Sequence, residues 1–311
     1  MNSENPQYNW KQAVDEASAI TDNLAEKYPN QEGVYTTKNY NEAHEQEFQV
    51  IYQSAATIRE LAINTDIPFA KEAYEAIGGD ETWEGIFSGM PELVEMRFLA
   101  SEKLISQLIQ SGEASQAVEL ASGLTPHAAS LSKRNPDLKK YIETDFRVNL
   151  LRKKELNKKL NVDIDLRYVA GNLFEKETWE NIEKNLDPGK VLIFSEGFML
   201  YMSSEDDRTK LAENFKGILE SHGGYFIFDD SLRYHPEFLI DPDVKDFLGK
   251  LIKGETVEQD ELTKEWEERG FVVERIPEDS ELSCENKFPD KKNEIALLKK
   301  HFKLWKLSLK E

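Results

Sequence analysis

The stretch AVELASGLTPHAASL at residues 117–131 decides how the rest of the chain is read. Its first residues form a short buried strand, Ala121-Ser122-Gly123 is a turn of small residues, and a helix follows. The next strand, YIETD at 141–145, ends in Asp145, 22 residues beyond Gly123. A strand, a small-residue turn, a helix and an acid at the next strand's tip point to a nucleotide-like ligand. Backbone at such a turn can approach the ligand closely, and the acid can take a ribose diol. Ala121, Ser122 and Gly123 make a poor glycine fingerprint, however, and an ordinary strand-to-helix turn would read the same way.

Outward from this unit, strands alternate with helices. Candidate strands are 116–120, 139–145, 166–171, 190–196, 224–229, 271–276 and 301–309, and candidate helices are 126–133, 147–159, 175–185, 204–221 and 256–269. That alternation implies an α/β fold, a Rossmann-like, doubly wound, seven-stranded sheet with helices on both faces. The last two strands are joined by a polar stretch and a short EIALLKK segment, which suits an antiparallel pair at the end of the sheet.

Toward the N-terminus, residues 1–90 read as helical. Asn41 is placed to cap a helix over 42–63, in which Phe48, Ile51, Tyr52, Ala55, Ile58 and Leu61 recur at helical spacing. Pro91 opens a second helix that ends just before Gly112, with Leu93, Ala100, Leu104 and Leu108 along one stripe. Arg97 falls in the middle of that stripe. A guanidinium there needs an anion, because burying it unpaired costs several kcal/mol. The anion is either a neighbouring acidic side chain or a ligand carboxylate or phosphate, and the expectation favours the ligand.

Composition narrows the classes. The 311 residues carry 39 basic and 59 acidic side chains, a net charge of −20, so nucleic acid and anionic membrane are poor partners. LRKKELNKK at 151–159 is one candidate for a local basic patch, expected to be a solvated helix face. Cys284 is the only cysteine, so no intrachain disulfide can form. The N-terminus lacks a signal-peptide pattern, and the most apolar run, VLIFSEGFMLYM, is short and interrupted by Glu196. A soluble, cytoplasmic protein is expected.

VELASGL, YIETDF, GNLF, SEGFMLYMS and GGYFIFDD, taken together, resemble the leucine carboxyl methyltransferase and tetracenomycin-type polyketide O-methyltransferase family. These are class I enzymes dependent on S-adenosyl-L-methionine (SAM), and the resemblance covers most of residues 90–311. SEGFMLYMSSED is its most specific piece. The resemblance implies a SAM-binding core over 91–311, a helical cap over 1–90 that forms part of the substrate pocket, and a lid insertion at 231–255.

It also implies a set of cofactor contacts. Arg97 would grip the carboxylate of the methionine part, and Gly123 would lie under the cofactor. Asp145 would bind the ribose hydroxyls, with Glu143 in reserve. Asn172 and Leu173 would flank the adenine, and Glu196 would pair with the ammonium. The sequence departs from the family pattern at Ala121, where glycine is common, and at His127, where relatives often carry arginine. His127 is expected to cap or line the first helix.

With SAM as donor, the reaction would be methyl transfer to a carboxylate or hydroxyl oxygen, leaving S-adenosyl-L-homocysteine (SAH). The acceptor would be a small molecule, a polyketide-like acid or phenol, or a protein C-terminal carboxylate. Tyr201, Asp229, Asp230 and His235 are the polar groups expected near the strand ends, Tyr201 and His235 being the weak catalytic candidates. Nothing in the 231–255 segment spells metal-ligand spacing, and no metal is expected. The competing readings are a nicotinamide-dependent oxidoreductase on a related fold, disfavoured by the absent G-x-G-x-x-G, and a non-catalytic SAM-binding protein.

Overall fold

Strand β1 (Gln116–Leu120) is buried along its whole length and sits at the middle of the sheet. Its side chains alternate between two cores: Ala117 joins the one on one face, Val118 and Leu120 the one on the other. The structure is a computed structural model, and it describes residues 45–79, 91–199, 202, 204–229, 259–277 and 280–310.

In chain order the described elements begin with α1 (Glu45–Asn64), α2 (Ala70–Ala76) and α3 (Pro91–Gln110). Then come β1, α4 (His127–Arg134), β2 (Lys140–Asp145), α5 (Arg147–Lys159), β3 (Asp165–Ala170) and α6 (Lys176–Glu183). The second half runs β4 (Val191–Ser195), α7 (Glu205–His222), β5 (Gly224–Asp229), α8 (Gln259–Glu268) and β6 (Phe271–Pro277). It closes with α9 (Cys284–Lys287), a short 3-10 turn, α10 (Lys292–His301) and β7 (Lys303–Leu309).

The strands form one seven-stranded sheet in the order β3-β2-β1-β4-β5-β7-β6. β1 to β5 run parallel to one another, and β7 runs antiparallel to both β5 and β6. This is the expected doubly wound α/β fold, and the antiparallel ending is where the sequence put it. The EIALLKK segment belongs to a full helix, α10, whose Ile295 and Leu298 are buried in the core with α3.

One core layer packs α3 and α4 against the sheet through Met96, Ala100, Leu104, Leu131 and Phe194. The other packs α7 and α8 through Phe215 and Trp266, with Phe226, Phe228 and Trp305 from the strands. Outside the first layer, α1 and α2 dock on α3 and α5. Ile58, Leu61 and Tyr74 meet Val94, Phe98, Leu124 and Leu156 there. Helix α3 ends as its composition predicts: Gly112 is left-handed (φ 75°), and the Glu113 amide bonds back to the Leu108 carbonyl.

Two sequence expectations change. The basic run on α5 is not a solvated face: Lys153 is fully buried and Arg152 is 4% exposed. Helical periodicity explains this, since 149, 152, 153 and 156 share the face toward the sheet and α1, and only Lys154, Lys158 and Lys159 reach solvent. Glu143 also fails as a ribose contact, because it lies inside the β2 ladder rather than at its tip. The proposed cap residues Asn41 and Phe48, the 231–255 segment, Tyr201, Asp230 and His235 lie outside the described residues or side chains.

Candidate functional site

In this sheet β1 is flanked by β2 on one side and β4 on the other, and the winding direction reverses between β1 and β4. Loops at the carboxyl ends of strands separate at such a reversal and leave a crevice. The residues singled out from the sequence at 121–123, 145, 172–173 and 196 all follow strand ends along this edge.

The turn after β1 is held from below. Ala121 (φ 51°) and Gly123 (φ 50°) are both left-handed. Glycine takes that conformation freely and alanine takes it at a cost, which accounts for the usual glycine where Ala121 stands. At Gly123 a Cβ would also come within 3.1 Å of Ser54 Oγ on α1. Lys153 Nζ reaches up from α5 and donates to the carbonyls of Ser122 (3.0 Å) and Thr125 (2.5 Å). The same ammonium lies 3.8 Å from Glu119 and 3.6 Å from Glu143. Burial raises the Glu143 carboxyl above the usual carboxylate range, against the pull of Lys153 and with the push of Glu119.

Asp145 stands at the tip of β2 and faces this turn. Its Oδ2 accepts the Gly123 amide at 2.8 Å, and its Oδ1 accepts from the Phe146 amide (2.6 Å) and Asn149 Nδ2 (3.1 Å). Burial raises its pKa, while these three donors and Lys153 pull the other way. At the tip of β3, Asn172 is exposed and its side-chain oxygen accepts the Phe174 amide at 3.0 Å, an Asx turn. Leu173 is buried beside it, and its carbonyl takes the Trp179 indole N–H.

Arg97 does not wait unpaired. Its Nε lies 2.6 Å from Asp229 Oδ2 at the end of β5, with side chains 12% and 1% exposed. The contact is an ion pair without hydrogen-bond alignment, so Nε and Nη2 remain buried donors without a hydrogen-bond partner. Asp229 Oδ1 accepts the Gly197 amide at 2.7 Å. Burial pushes the Asp229 carboxyl up to about 6, Arg97 holding it down and Glu196 pushing it higher.

Glu196 follows the tip of β4, where its Oε2 meets His127 Nε2 at 2.8 Å. His127 is fully buried at the start of α4, its ring stacked on Phe98 (centroids 4.1 Å apart), and its Nδ1 is 3.4 Å from Glu102 Oε1. It is therefore a bridge between two acids rather than a simple cap. Sequence reasoning missed Glu102, Lys153 and the use of Asp229 as the partner of Arg97. Glu102 left a faint signal, an acid on the buried side of α3 five residues after Arg97.

No family model matches the sequence, and no curated protein matches it. Solved structures do match. The chain is similar to a DUF574 family protein from Streptomyces avermitilis MA-4680, at 14% identity and a TM-score of 0.50, over 83% of this chain and 97% of that one. It is equally similar to a candidate methyltransferase from Thermobifida fusca YX, at 14% identity and a TM-score of 0.50, over 83% and 94%. An O-methyltransferase family protein from Burkholderia thailandensis aligns over 96% of this chain and 84% of its own, at 12% identity and a TM-score of 0.47. At these identities the likeness is one of fold.

Proposed function

We propose that this chain is a SAM-dependent O-methyltransferase whose cofactor occupies the crevice between β1 and β4. The observation that carries the reading is Arg97: a largely buried guanidinium at the sheet's carboxyl edge whose Nε is paired with Asp229 while its Nη2 has no hydrogen-bond partner. Ser122 Oγ and Ser195 Oγ, buried near the ends of β1 and β4, also lack partners. Buried polar atoms left without partners call for a ligand or water. The donor set fits an amino-acid tail, with Arg97 for the carboxylate and Glu196 Oε1 for the ammonium.

Asp145 would take the ribose hydroxyls. A carboxylate offers about four lone-pair directions, and three are engaged, so room for a ribose contact depends on adjusting the Gly123 or Asn149 bond. Asn172 and Leu173 would border the adenine. When bound, SAM would supply a methyl group already activated by its positive sulfur, to be taken by an acceptor oxygen with SAH as the leaving group. The protein's part is to align that oxygen and exclude water. A carboxylate acceptor needs no base. A hydroxyl acceptor gives up a proton, and Asp229 is unsuited to take it because both of its oxygens are committed to Arg97 and Gly197. The acceptor class is a small acid or phenol, consistent with a net charge of −20 that disfavours nucleic acid.

Thermal unfolding with and without ligand tests this directly. A ligand that binds only the folded state at 100 times its Kd stabilises by about 2.7 kcal/mol. SAM and SAH should raise Tm, and nicotinamide dinucleotides should not. Unchanged melting at millimolar SAH refutes the cofactor assignment. Binding without methyl transfer across a library of acids and phenols, read by mass, would instead favour a non-catalytic SAM-binding protein.

A further inference from the structure

Between α3, α4 and the tip of β4, His127 is enclosed by acids on both sides. Glu102 faces Nδ1 and Glu196 faces Nε2. An ionised carboxylate can only accept, so both ring nitrogens must carry protons for both contacts to be hydrogen bonds. Glu102 is fixed in turn. Ser130 Oγ donates to Glu102 Oε2 at 2.6 Å, and Arg134 Nη1 lies 3.0 Å from the same oxygen. Phe98 covers one ring face, and Phe194 meets the ring edge-on at 5.6 Å. The imidazole cannot rotate away.

We infer that His127 is a positioning residue: its doubly protonated ring pins one oxygen of Glu196 and leaves the other for the ammonium of an amino-acid ligand. This rests on the SAM reading of the site. Burial alone would lower the imidazole's pKa, but the bonds to Glu102 and Glu196 and the charge of Glu119 raise it to about 10. The cation therefore persists across the working range. The charge on Glu196 in turn raises the pKa of nearby Asp229. Where the resembled family often carries arginine, this chain obtains a fixed cation from a shorter, flat side chain.

The test separates positioning from bulk stability by ligand choice. His127→Gln keeps one hydrogen bond's worth of polarity and loses the charge. SAH carries the amino-acid tail, whereas methylthioadenosine shares its nucleoside and lacks the tail. His127→Gln should weaken SAH by about 10- to 100-fold, the scale of one charge-assisted contact, and leave methylthioadenosine within about twofold. His127→Arg should recover part of the SAH affinity. Equal weakening of both ligands, or none of either, overturns the inference while leaving the SAM reading intact if wild type binds SAH. Wild type that binds neither refutes the SAM reading instead. Should the variants fail to fold, the proton NMR of the wild-type imidazole decides. One of the five histidines should stay in its imidazolium form from pH 6 to 9, and titration of all five below pH 8 overturns the inference.

Discussion

Replacing Arg97 with leucine strands Asp229, and the cost can be worked out from the acid's titration. Asp229 has a pKa of about 6 with Arg97 beside it, against an ordinary value of 3.8. One pKa unit is worth about 1.4 kcal/mol. The folded wild type therefore already loses roughly 3 kcal/mol on ionising this group, all of it felt above pH 6. Without the guanidinium the carboxyl will simply stay protonated, because it is fully enclosed and 2.6 Å from nothing else cationic. Below pH 6 both proteins then hold the same neutral acid, and the substitution carries no charge penalty. Above pH 6 the wild type has finished paying and the variant has not, so the gap should widen by about 1.4 kcal/mol per pH unit. Near pH 8 it reaches about 3 kcal/mol, the lower end of what removing one member of a buried pair costs.

The assay is urea unfolding of both proteins at half-unit steps from pH 5.5 to 8.5. Packing changes at residue 97 shift the whole curve up or down, so the slope of the difference is the informative quantity. Parallel curves would show that Asp229 is not the group Arg97 neutralises. Arg97→Leu with Asp229→Asn should return the slope to zero. The outcome bears on function too, since a guanidinium kept for stability alone would not need an Nη2 without a hydrogen-bond partner.

Other consequences can be checked with the same tools. Wild-type stability should fall steadily from pH 5 to 10. Asp229 and Glu143 have raised folded pKa values and shed favourable protons as pH rises, and the stability from His127 is full below 6.5 and lost toward its folded value of about 10. A urea midpoint that rises over this range would contradict the buried-charge assignments. Lys153→Met should destabilise by about 3–5 kcal/mol, because two buried acids lose their cation and two carbonyls their donor. A loss under 1 kcal/mol would mean that Lys153 is not what balances these two acids in the fold. Asp145→Ala should weaken SAH and methylthioadenosine alike, by about tenfold or more; loss confined to SAH in calorimetry would move the ribose contact elsewhere.

The sheet was legible because its signal is local. Val118, Leu120, Ile193 and Phe226 are parts of short apolar runs bounded by turns, and the 147–159 helix is found with the ends its periodicity gives. Arg97 was legible as a problem, a charge in an apolar stripe, but not in its solution. Asp229 sits on a strand far along the chain, and nothing in either neighbourhood announces the partner. The same limit hid Glu102 from His127. Lys153 was misjudged for a different reason: a run of basic residues reads as solvated on composition, and only its phase against Asn149 and Leu156 shows that it turns inward. Asn172 was expected to flank the adenine, and its side-chain oxygen is engaged by the Phe174 amide in a local Asx turn.

Two chains of contacts leave α3 and end on adjacent residues. Arg97 reaches Asp229, which holds the Gly197 amide; Glu102 reaches His127, which holds Glu196. Gly197 is left-handed (φ 68°), and a Cβ there would point at Arg97 Nη1 from 3.5 Å, so the turn itself is shaped to the guanidinium. Helix α3 thus grips the turn after β4 twice, using five buried or half-buried charges. Apolar side chains of similar volume would hold a helix against a sheet at least as well, since desolvating charges commonly offsets what pairing them returns. Leu104, Ile105 and Leu108 do that further along the same helix. The difference lies in direction: apolar packing fixes distance, while paired charges fix where individual oxygens and N–H groups point. A turn held that way has its polar groups oriented before any ligand arrives, and that is the arrangement a site binding a zwitterionic tail requires.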